Sequence, residues 1–429
     1  MQNKVIPGAY INFVSVSAGV TAGSRGIAAL PLVLNWGAEG KVISMDSGDF
    51  AKNALGVFGY DATAPELLLI REAFKRAKTL LVYRVNGGGV KASGTIGGLT
   101  VTAKCSGTRG NDIKVAVLAN PDGGFDVVTY LGTQVADSQT VTAAGNLVAN
   151  DLVTFAGASL EAAAATALTG GTNGTASGAT YTAALTALEV EKFNAIGYPG
   201  DDEEVKALFV AFAKRLRDDE GKKIVAVLAN EPADYEGIIS VKNGVVLENG
   251  TELTAAEAVA WVTGASAGAE INESLTNAVY EGAVDVTAKY TKSQYQAALA
   301  AGEFIFYGED GSVRVLDDIN TLVTYANGKT ADWNSNRLVR VMDGWANDVA
   351  RIFGASYLGM ETNNDTGRQL FKADLVSLAA QYQQIGAISE FDSADIVISQ
   401  GTGKRDVVAD CKLKPNDSMT KLYMSVVVA

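Results

Sequence analysis

The segment Gly264-Ala265-Ser266-Ala267-Gly268 has the G-x-S-x-G spacing of a nucleophile elbow. In that motif a serine on a sharp strand-to-helix turn attacks an acyl carbon after a histidine has taken its proton. The sequence meets neither condition, because a helical pattern precedes Gly264 and the chain contains no histidine. We therefore interpret the segment as the glycine-rich end of a helix and predict no catalytic residue.

Other candidate ligand sites are also incomplete. Gly328-Lys329-Thr330 and Gly403-Lys404 lack the upstream glycine that a phosphate-binding loop requires, and no G-x-G-x-x-G follows a predicted strand. Asp317-Asp318 follows a predicted strand, where ligand sites occur in α/β proteins, but no metal-ligand spacing accompanies the pair. Without histidine, the commonest metal ligand and general base is missing as well. The sequence predicts no cofactor and no bound metal.

Composition and charge restrict the partners. The chain has 35 Lys and Arg against 48 Asp and Glu, a formal charge of −13, which argues against nucleic acid and anionic membrane surfaces. The segment Met1-Gln2-Asn3-Lys4 opens no signal peptide, and apolar runs such as 27–34 are too short to span a bilayer. Cys105 and Cys411 are interpreted as small buried hydrophobes rather than a disulfide. We predict a protein kept soluble in a reducing cytoplasm.

Helix and strand patterns alternate in two separated parts of the chain. A predicted helix at 65–78 is followed by a strand at 79–85, and the alternation resumes with strands at 193–196 and 223–229 around a helix at 202–219. Between these parts the chain is rich in Gly, Thr, Ala and Val, with short strand patterns at 99–103, 113–118, 125–130 and 151–155. This arrangement predicts a parallel sheet interrupted by an all-β insertion.

The predicted fold class is α/β, multi-domain, with extended arms at both ends. We assign residues 1–24 to an N-terminal arm, 25–87 and 181–330 to a discontinuous α/β domain, and 88–180 to an inserted all-β domain. Residues 331–429 form a C-terminal α+β domain that ends in an arm at 420–429. Its predicted helices lie at 336–353 and 366–384, and its predicted strands at 395–399 and 406–413.

Both ends of the chain carry unprotected apolar strand patterns. An exposed β-branched edge of this kind aggregates unless it is paired with another strand. The sequence therefore predicts that both arms exchange strands with other copies, as in an assembly protein. The side chains predicted to make these inter-subunit contacts are Tyr10, Ile11, Phe13 and Val14 in the first arm and Leu422, Tyr423, Met424, Val426 and Val428 in the second.

Several short motifs in a fixed order give a resemblance to a known family. They are Pro7-Gly8-Ala9-Tyr10-Ile11, the strand end at 83–88, the turn at 106–113, the strand and turn at 313–321, and the terminal segment 410–426. With these motifs the chain resembles the tail sheath proteins of contractile phage tails and related prophage-encoded particles. The likeness is weakest from 114 to 190, and Thr108-Arg109 departs from the aromatic residue common in the family.

The resemblance implies a structural subunit and not an enzyme. Copies would stack as hexameric rings in a helical sheath around an inner tail tube, joined by terminal arms that add strands to neighbouring C-terminal sheets. Contraction would drive the tube through a cell envelope. Tail tube, baseplate and tail terminator proteins would be the other partners, with no nucleic acid contact and no membrane insertion. The subunit would be made in the host bacterial cytoplasm and reside in the virion tail. Arg368 and Lys372 are predicted to face the tube.

Two other classes remain open from the residues alone. One is a cytoplasmic α/β enzyme or ligand-binding protein with a β insertion, and the other is a different virion or surface-layer structural protein. Electron microscopy of concentrated protein separates them, since striated tubules are expected only of the sheath subunit.

Overall fold

The computed structural model describes residue 23 and residues 25–326 and 328–427. The described residues form two compact units. The larger unit holds residues 25–346 and 417–427, and the smaller holds Gly23 and residues 347–416. The predicted N-terminal arm, with Tyr10, Ile11, Phe13 and Val14, lies outside the described residues, as does Val428.

The elements follow one another in mixed order along the chain. The helices are α1 (Ser47–Phe58), α2 (Leu68–Phe74), α3 (Gly178–Glu189), α4 (Glu203–Lys214), α5 (Ala255–Gly268), α6 (Lys292–Ala300), α7 (Asn336–Ser356) and α8 (Asp365–Gln384). The strands up to residue 167 are β1 (Ile27–Leu32), β2 (Val42–Asp46), β3 (Thr79–Arg84), β4 (Ser93–Ile96), β5 (Leu99–Ala103), β6 (Ile113–Ala119), β7 (Phe125–Leu131), β8 (Gln134–Val141), β9 (Val153–Ala156) and β10 (Ala163–Ala167). The later strands are β11 (Ala195–Gly197), β12 (Val225–Ala229), β13 (Ile238–Val241), β14 (Val245–Leu247), β15 (Glu252–Leu253), β16 (Ala283–Val286), β17 (Glu303–Phe304), β18 (Phe306–Glu309), β19 (Ser312–Val315), β20 (Ile396–Gln400) and β21 (Val407–Cys411).

A seven-stranded sheet organises the larger unit, in the order β17-β13-β12-β11-β1-β3-β2. All neighbours are parallel except β2, which pairs antiparallel with β3 at one edge. Helices α1, α2 and α5 pack on one face of the sheet, and α3 and α4 pack on the other. Because both faces are covered, the central strands are apolar throughout, as in Val225–Ala229.

Helices α4 and α5 of this unit begin at polar caps that the sequence supplies. The side chain of Asp202 accepts hydrogen bonds from the amides of Glu204 (2.9 Å) and Val205 (3.1 Å) at the start of α4. The acidic cluster at 201–204 is thus explained by capping and by the helix dipole. Thr254 and Glu257 form a capping box at the start of α5.

The inserted residues between β3 and α3 form two antiparallel sheets. One has the order β10-β6-β7-β8 and the other β4-β5-β9. Their inner faces share one hydrophobic core, which includes Leu99, Val115 and Val127, with Trp36 of the α/β part beside them. Alternation along each strand places the other side chains outside, as expected of a sandwich.

The smaller unit is built from the second half of α7, from α8 and from a two-stranded sheet, β20-β21. Phe371, Leu375 and Tyr382 of α8 are buried, and β20 packs on this helix through Ile396. The Tyr382 hydroxyl donates to Asp348 Oδ2 at 2.9 Å, which closes the core on the α7 side.

The predicted fold class is confirmed: the chain is a multi-domain α/β protein with a β-sandwich in the middle. Two helices were not predicted, α1 and α3. The predicted helix at 65–78 is shorter than expected, with a 3-10 turn at Pro65–Leu67 before α2. No helix among the described residues is long and apolar enough to cross a membrane.

Candidate assembly interface

The elbow-like segment at 264–268 is the last part of α5 and not a turn between a strand and a helix. A Cβ atom added at Gly264 would lie 2.2 Å from the Ala73 carbonyl oxygen, and one added at Gly268 would lie 2.0 Å from that of Arg76. The two glycines therefore let α5 contact the backbone of α2 and the turn after it. The spacing reflects helix packing, in agreement with the interpretation of a glycine-rich helix end.

We expect Gly264→Ala to destabilise the larger unit by about 1–3 kcal/mol, because the new methyl group overlaps the Ala73 carbonyl. At an unconstrained helical site the same change stabilises by about 0.5–1 kcal/mol. Gly56→Ala in α1 is the matched control, since its added Cβ would meet only Asp151 Oδ2 at 3.8 Å. Urea unfolding of both variants measures the difference. Equal effects at the two sites would contradict the packing argument.

The acidic pair Asp317-Asp318 connects parts of the larger unit. Asp318 is buried and accepts hydrogen bonds from the amide of Leu275 and the side-chain amide of Asn336, both at 2.9 Å. The Thr276 hydroxyl donates to Asp317 Oδ1 at 2.9 Å. Burial raises the pKa of Asp317, against the opposing effect of that hydrogen bond. Both carboxylates thus have structural partners, and no group of metal-ligating side chains occurs among residues 25–326 and 328–427.

The C-terminal arm is the most exposed apolar segment that the structure describes. Among the described residues, Asn416 is the last whose backbone amide forms a hydrogen bond with the backbone of another segment. It donates to the Ala387 carbonyl at 2.9 Å. Residues 417–427 belong to no helix or strand. The predicted contact side chains are nearly fully solvated, with exposed fractions of 85% for Leu422, 89% for Tyr423, 74% for Met424 and 72% for Val426. Val427 is 90% exposed. A single copy offers these side chains to solvent.

The two-stranded sheet β20-β21 has edge strands to which such an arm can add. Its strands pair with each other from Ile396↔Cys411 to Gln400↔Val407, and no other described strand pairs with either. One face rests on α8, while Val397 and Val408 are exposed on the other. Cys411 is a half-buried free thiol whose pKa is raised by burial. Among the described residues, both outer edges of this sheet therefore have unpaired backbone groups that can accept a strand.

Arg368 and Lys372 lie one turn apart on α8 and differ in availability. The Arg368 side chain is 13% exposed, forms an ion pair with Asp365 and donates to Asn363 Oδ1 at 2.9 Å. It lines a cleft of about 270 Å³ together with Phe353 and Phe371. Lys372 is half-exposed and makes no side-chain ion pair or hydrogen bond with the described residues. Of the two predicted tube-facing cations, Lys372 has the more available charge.

The sequence reasoning did not predict the burial of Arg84. Arg84, the arginine of the strand end at 83–88, has a fully buried side chain that donates to the carbonyls of Leu34 (3.0 Å), Gly37 (3.1 Å) and Ser106 (2.9 Å). These contacts connect the α/β sheet to the start of the β-sandwich. A charged residue inside an otherwise apolar strand, directly before Asn86-Gly87-Gly88, is the signal that could have revealed it.

Comparison with known families matches almost the whole chain in four consecutive parts. They are the tail sheath protein Gp18 domain III N-terminal region (residues 25–85), the phage tail sheath protein beta-sandwich domain (87–173), the phage tail sheath protein central domain (174–321) and the phage tail sheath C-terminal domain (328–429). These matches define a structural protein of phage-type tails.

Three known proteins illustrate the likeness. The phage-like element PBSX protein XkdK of Bacillus subtilis is 39% identical over 460 aligned residues, which cover all of this chain and 98% of the relative. The crystal structure of a sheath tail protein from Desulfitobacterium hafniense is 46% identical with a TM-score of 0.88, covering 98% of this chain and 99% of that one. The anti-feeding prophage helical sheath in its contracted state shares the fold at 11% identity, with a TM-score of 0.60 over 99% of both chains. The chain belongs to the phage tail sheath family and is a structural subunit of a contractile tail.

Proposed function

We propose that this protein polymerises as stacked hexameric rings into a helical sheath around an inner tail tube, and that contraction of the sheath drives the tube through a cell envelope. Family membership and the fold shared with a contracted helical sheath support this proposal. The observation that carries it is the solvated apolar arm at 417–427, together with a β20-β21 sheet whose two edges pair with no other described strand.

In the proposed assembly each arm adds a strand to the β20-β21 sheet of a neighbouring copy. Backbone hydrogen bonds supply affinity in such strand addition, and alternate side chains fix the register. Leu422, Met424 and Val426 then project from one face of the added strand and Tyr423 and Val427 from the other. The N-terminal arm, through Tyr10, Ile11, Phe13 and Val14, makes a second connection of the same kind.

The energetics favour many weak connections over one strong connection. Burial of each large arm side chain contributes about 1.5–3 kcal/mol, and each hydrogen bond about 1 kcal/mol. Ordering each arm residue costs about 1–2 kcal/mol. The surplus of one arm is small, so a free subunit stays monomeric while a lattice of tethered arms persists.

The remaining partners follow from the same role. The inner tail tube, the baseplate and the tail terminator proteins contact the sheath along its length and at its ends, in a particle assembled in the host cytoplasm and located in the virion tail. The subunit performs no catalysis, inserts into no membrane and contacts no nucleic acid in this proposal.

Deletion of residues 420–429 is expected to leave a folded monomer that no longer forms tubules at any concentration at which the full chain polymerises. The reason is the loss of every predicted contact side chain of the C-terminal arm. Negative-stain electron microscopy and sedimentation measure polymer, and circular dichroism confirms the fold.

A matched control separates arm pairing from general loss of surface hydrophobicity. Val190 is 84% exposed and follows α3, outside the arm, so Val190→Ser removes a comparable side chain and should polymerise normally. Normal tubules from the deletion variant would refute the assignment of the arm.

We expect Lys372→Glu to uncouple the sheath from the tube without preventing sheath-only polymers. Lys372 has no described ion-pair partner, so reversal of its charge changes the surface of α8 and leaves the core unaltered. Co-sedimentation of sheath subunits with preassembled tail tubes measures the coupling. Arg368→Glu is a poor substitute, because Arg368 also holds Asn363 and Asp365. If the Lys372→Glu variant binds the tube as strongly as wild type, Lys372 does not contribute to the tube contact.

A further inference from the structure

A groove on the larger unit collects lysines that have no ion-pair or hydrogen-bond partner among the described residues of their own chain. Lys41, Lys91 and Lys104 line a depression of about 700 Å³ where the β-sandwich joins the α/β part. All three are exposed, and none makes a side-chain ion pair or hydrogen bond with another described residue. The chain as a whole has a formal charge of −13, so a concavity lined by three unpaired lysines differs from the overall negative charge of the protein.

The acidic residues of the groove leave this positive charge largely uncompensated. The Glu39 carboxylate accepts from the amides of Ser106 (3.0 Å) and Gly88 (2.9 Å), and it lies 3.8 Å from Arg84 Nη1. Its charge is therefore already satisfied by the protein. Asp151 lies where this groove continues into a second depression of about 690 Å³, which adds Lys52 and Asp137. The Asp137 carboxylate already accepts hydrogen bonds from the side-chain amides of Gln139 and Asn150. The groove thus favours an acidic occupant.

The same unit carries an acidic projection of suitable shape. Strands β18 and β19 are joined by the two-residue turn Asp310-Gly311, with φ of 49° and 75°. These left-handed values are those of a tight type I′ turn, so the tip is conformationally fixed before any partner binds. Glu309 and Asp310 are exposed at the tip, and neither carboxylate forms an ion pair with a described residue.

Aromatic side chains at the base of this hairpin complete the projection. Tyr290, Tyr295 and Tyr307 are half-buried and line a cleft of about 540 Å³ beside Glu309 and Asp310. Lysine stems pack on tyrosine rings, and the ammonium group is attracted to the ring face. The hairpin tip and the cleft at its base therefore offer both carboxylates and aromatic surface to lysines. Lys289, which also lines this cleft, is already paired with Asp285 at 2.8 Å.

We propose that the lysine groove, defined by Lys41, Lys91 and Lys104, binds the acidic hairpin tip, Glu309-Asp310, of a second copy of this chain. The two surfaces are different parts of the same unit, so the contact is head-to-tail and propagates from copy to copy. It rests on the proposed polymerisation and names a second connection in the polymer, independent of the arms. Charge complementarity sets the register of the rigid bodies, while the arms tether them.

Carbodiimide cross-linking of wild-type tubules tests this contact directly, because the reagent joins lysine amines to carboxylates that touch. Mass spectrometry is expected to find isopeptides between Lys41, Lys91 or Lys104 and Glu309 or Asp310, absent from the dilute monomer. Tubules that yield other cross-links but none of these overturn the inference and leave the proposed sheath function standing. A wild-type chain that forms no polymer at any concentration overturns the proposed function and this inference together.

Substitutions that change the charge of the groove and of the hairpin tip provide a second test. The groove variant Lys91→Glu with Lys104→Glu, and the tip variant Glu309→Lys with Asp310→Asn, are each expected to raise the critical concentration for polymerisation about 10-fold or more through like-charge repulsion and lost pairing. Combining groove and tip changes is expected to restore it to within about 3-fold of wild type. Asparagine is chosen at 310 because it tolerates the left-handed conformation.

The exposed Lys192→Glu, outside the groove, is the matched control and should polymerise as wild type. Circular dichroism and thermal melting of the monomers establish that each variant is folded. Wild-type critical concentrations for the separate groove and tip variants, or a combined variant no better than its parents, would contradict the contact.

Discussion

Replacement of Arg217 by alanine is expected to lower the free energy of unfolding of the larger unit by about 3–5 kcal/mol. Arg217 lies in a π-helical turn at Arg215–Asp219, directly after α4, and its side chain is 2% exposed. Its guanidinium donates to Asp343 Oδ2 at 2.6 Å and to Oδ1 at 2.9 Å, a bidentate pair that attaches this turn to the first half of α7. Without Arg217, the Asp343 side chain, 10% exposed, keeps a charge with no bidentate partner.

The electrostatics of the Arg217–Asp343 pair explain why removal of one partner alone strongly lowers the free energy of unfolding. Burial lowers the pKa of Arg217, but the charge and hydrogen bonds of Asp343 outweigh burial and leave the pKa above its ordinary value. Arg217 also donates to the Ile224 carbonyl at 2.7 Å, next to the start of β12. The pair therefore connects three elements at once.

Arg215→Ala is the matched control for this prediction. Arg215 belongs to the same turn, but its side chain is 41% exposed and pairs with Glu189 at 2.5 Å on the surface. A surface pair contributes about 0–1 kcal/mol, so this variant should unfold close to wild type. The double change Arg217→Met with Asp343→Leu should recover most of the loss, because it removes both buried charges. Urea unfolding of the three variants measures their free energies of unfolding. Equal losses of unfolding free energy in Arg215→Ala and Arg217→Ala would contradict the buried-pair argument.

The parts of the fold that the sequence predicted are those where local pattern and tertiary packing agree. The strand at 223–229 is nearly all apolar because both faces of the sheet are covered, and the structure places β12 there. The Asp310-Gly311 pair between β18 and β19 is a local signal of the same kind, because Asp-Gly favours the left-handed turn that the structure shows there. Helix α1 was missed although Phe50, Ala54 and Phe58 recur at helical spacing. Its polar and glycine residues dilute that signal, and packing against the sheet supplies the missing stability.

The candidate site was predictable only where it depends on local sequence. Exposed apolar residues at the C-terminus indicated an arm, and the structure finds residues 417–427 solvated. Whether the arm pairs with another copy stays a prediction, since pairing depends on a second chain. The pairing of Arg368 was not predictable from its own position, because Asp365 and Asn363 are brought to it by the helix start and by the loop before it. The lysine groove joins residues 41, 91 and 104 from distant segments, so no local pattern reveals it.

Arg84 likewise depends on carbonyls that lie far from it in the sequence, those of Leu34, Gly37 and Ser106. We expect Arg84→Lys to destabilise the junction between the β-sandwich and the α/β sheet by about 3 kcal/mol or more. A lysine amine presents a compact point charge in place of a planar fork, so it cannot reach the Leu34, Gly37 and Ser106 carbonyls together. Each buried carbonyl left without a donor costs about 1–3 kcal/mol. Lys104→Met, an exposed change on the same junction, is the control and should stay within about 0.5 kcal/mol of wild type.

Limited proteolysis distinguishes loss of this junction from general unfolding. The two connections of the β-sandwich cross closely there: a Cβ atom at Gly174 would lie 1.9 Å from the Gly87 carbonyl oxygen, and one at Gly89 would lie 2.0 Å from that of Thr172. When Arg84 is replaced, these connections should become the first cleavage sites, while the sandwich survives as a resistant fragment. Cleavage spread over the whole chain, or connections as resistant as in wild type, would contradict a junction held by Arg84.

The pH dependence of the same junction gives an independent check through Glu39. Burial raises the pKa of Glu39, but hydrogen bonds from Ser106 and Gly88 and the charge of Arg84 outweigh burial, and the net pKa is lowered. A carboxylate with a lowered folded pKa stabilises fully above its unfolded value, about 4.3, and this stabilisation is lost as the pH falls through the folded value. In Arg84→Lys the guanidinium is replaced by an ammonium at a different position, so the folded pKa of Glu39 should lie closer to its unfolded value. The acid-dependent loss of stability should then be smaller than in wild type and be complete at a higher pH. If the unfolding free energy falls with acid in the same way in both proteins, Arg84 and Glu39 act independently. The junction would then depend on the carbonyl contacts of Arg84 alone.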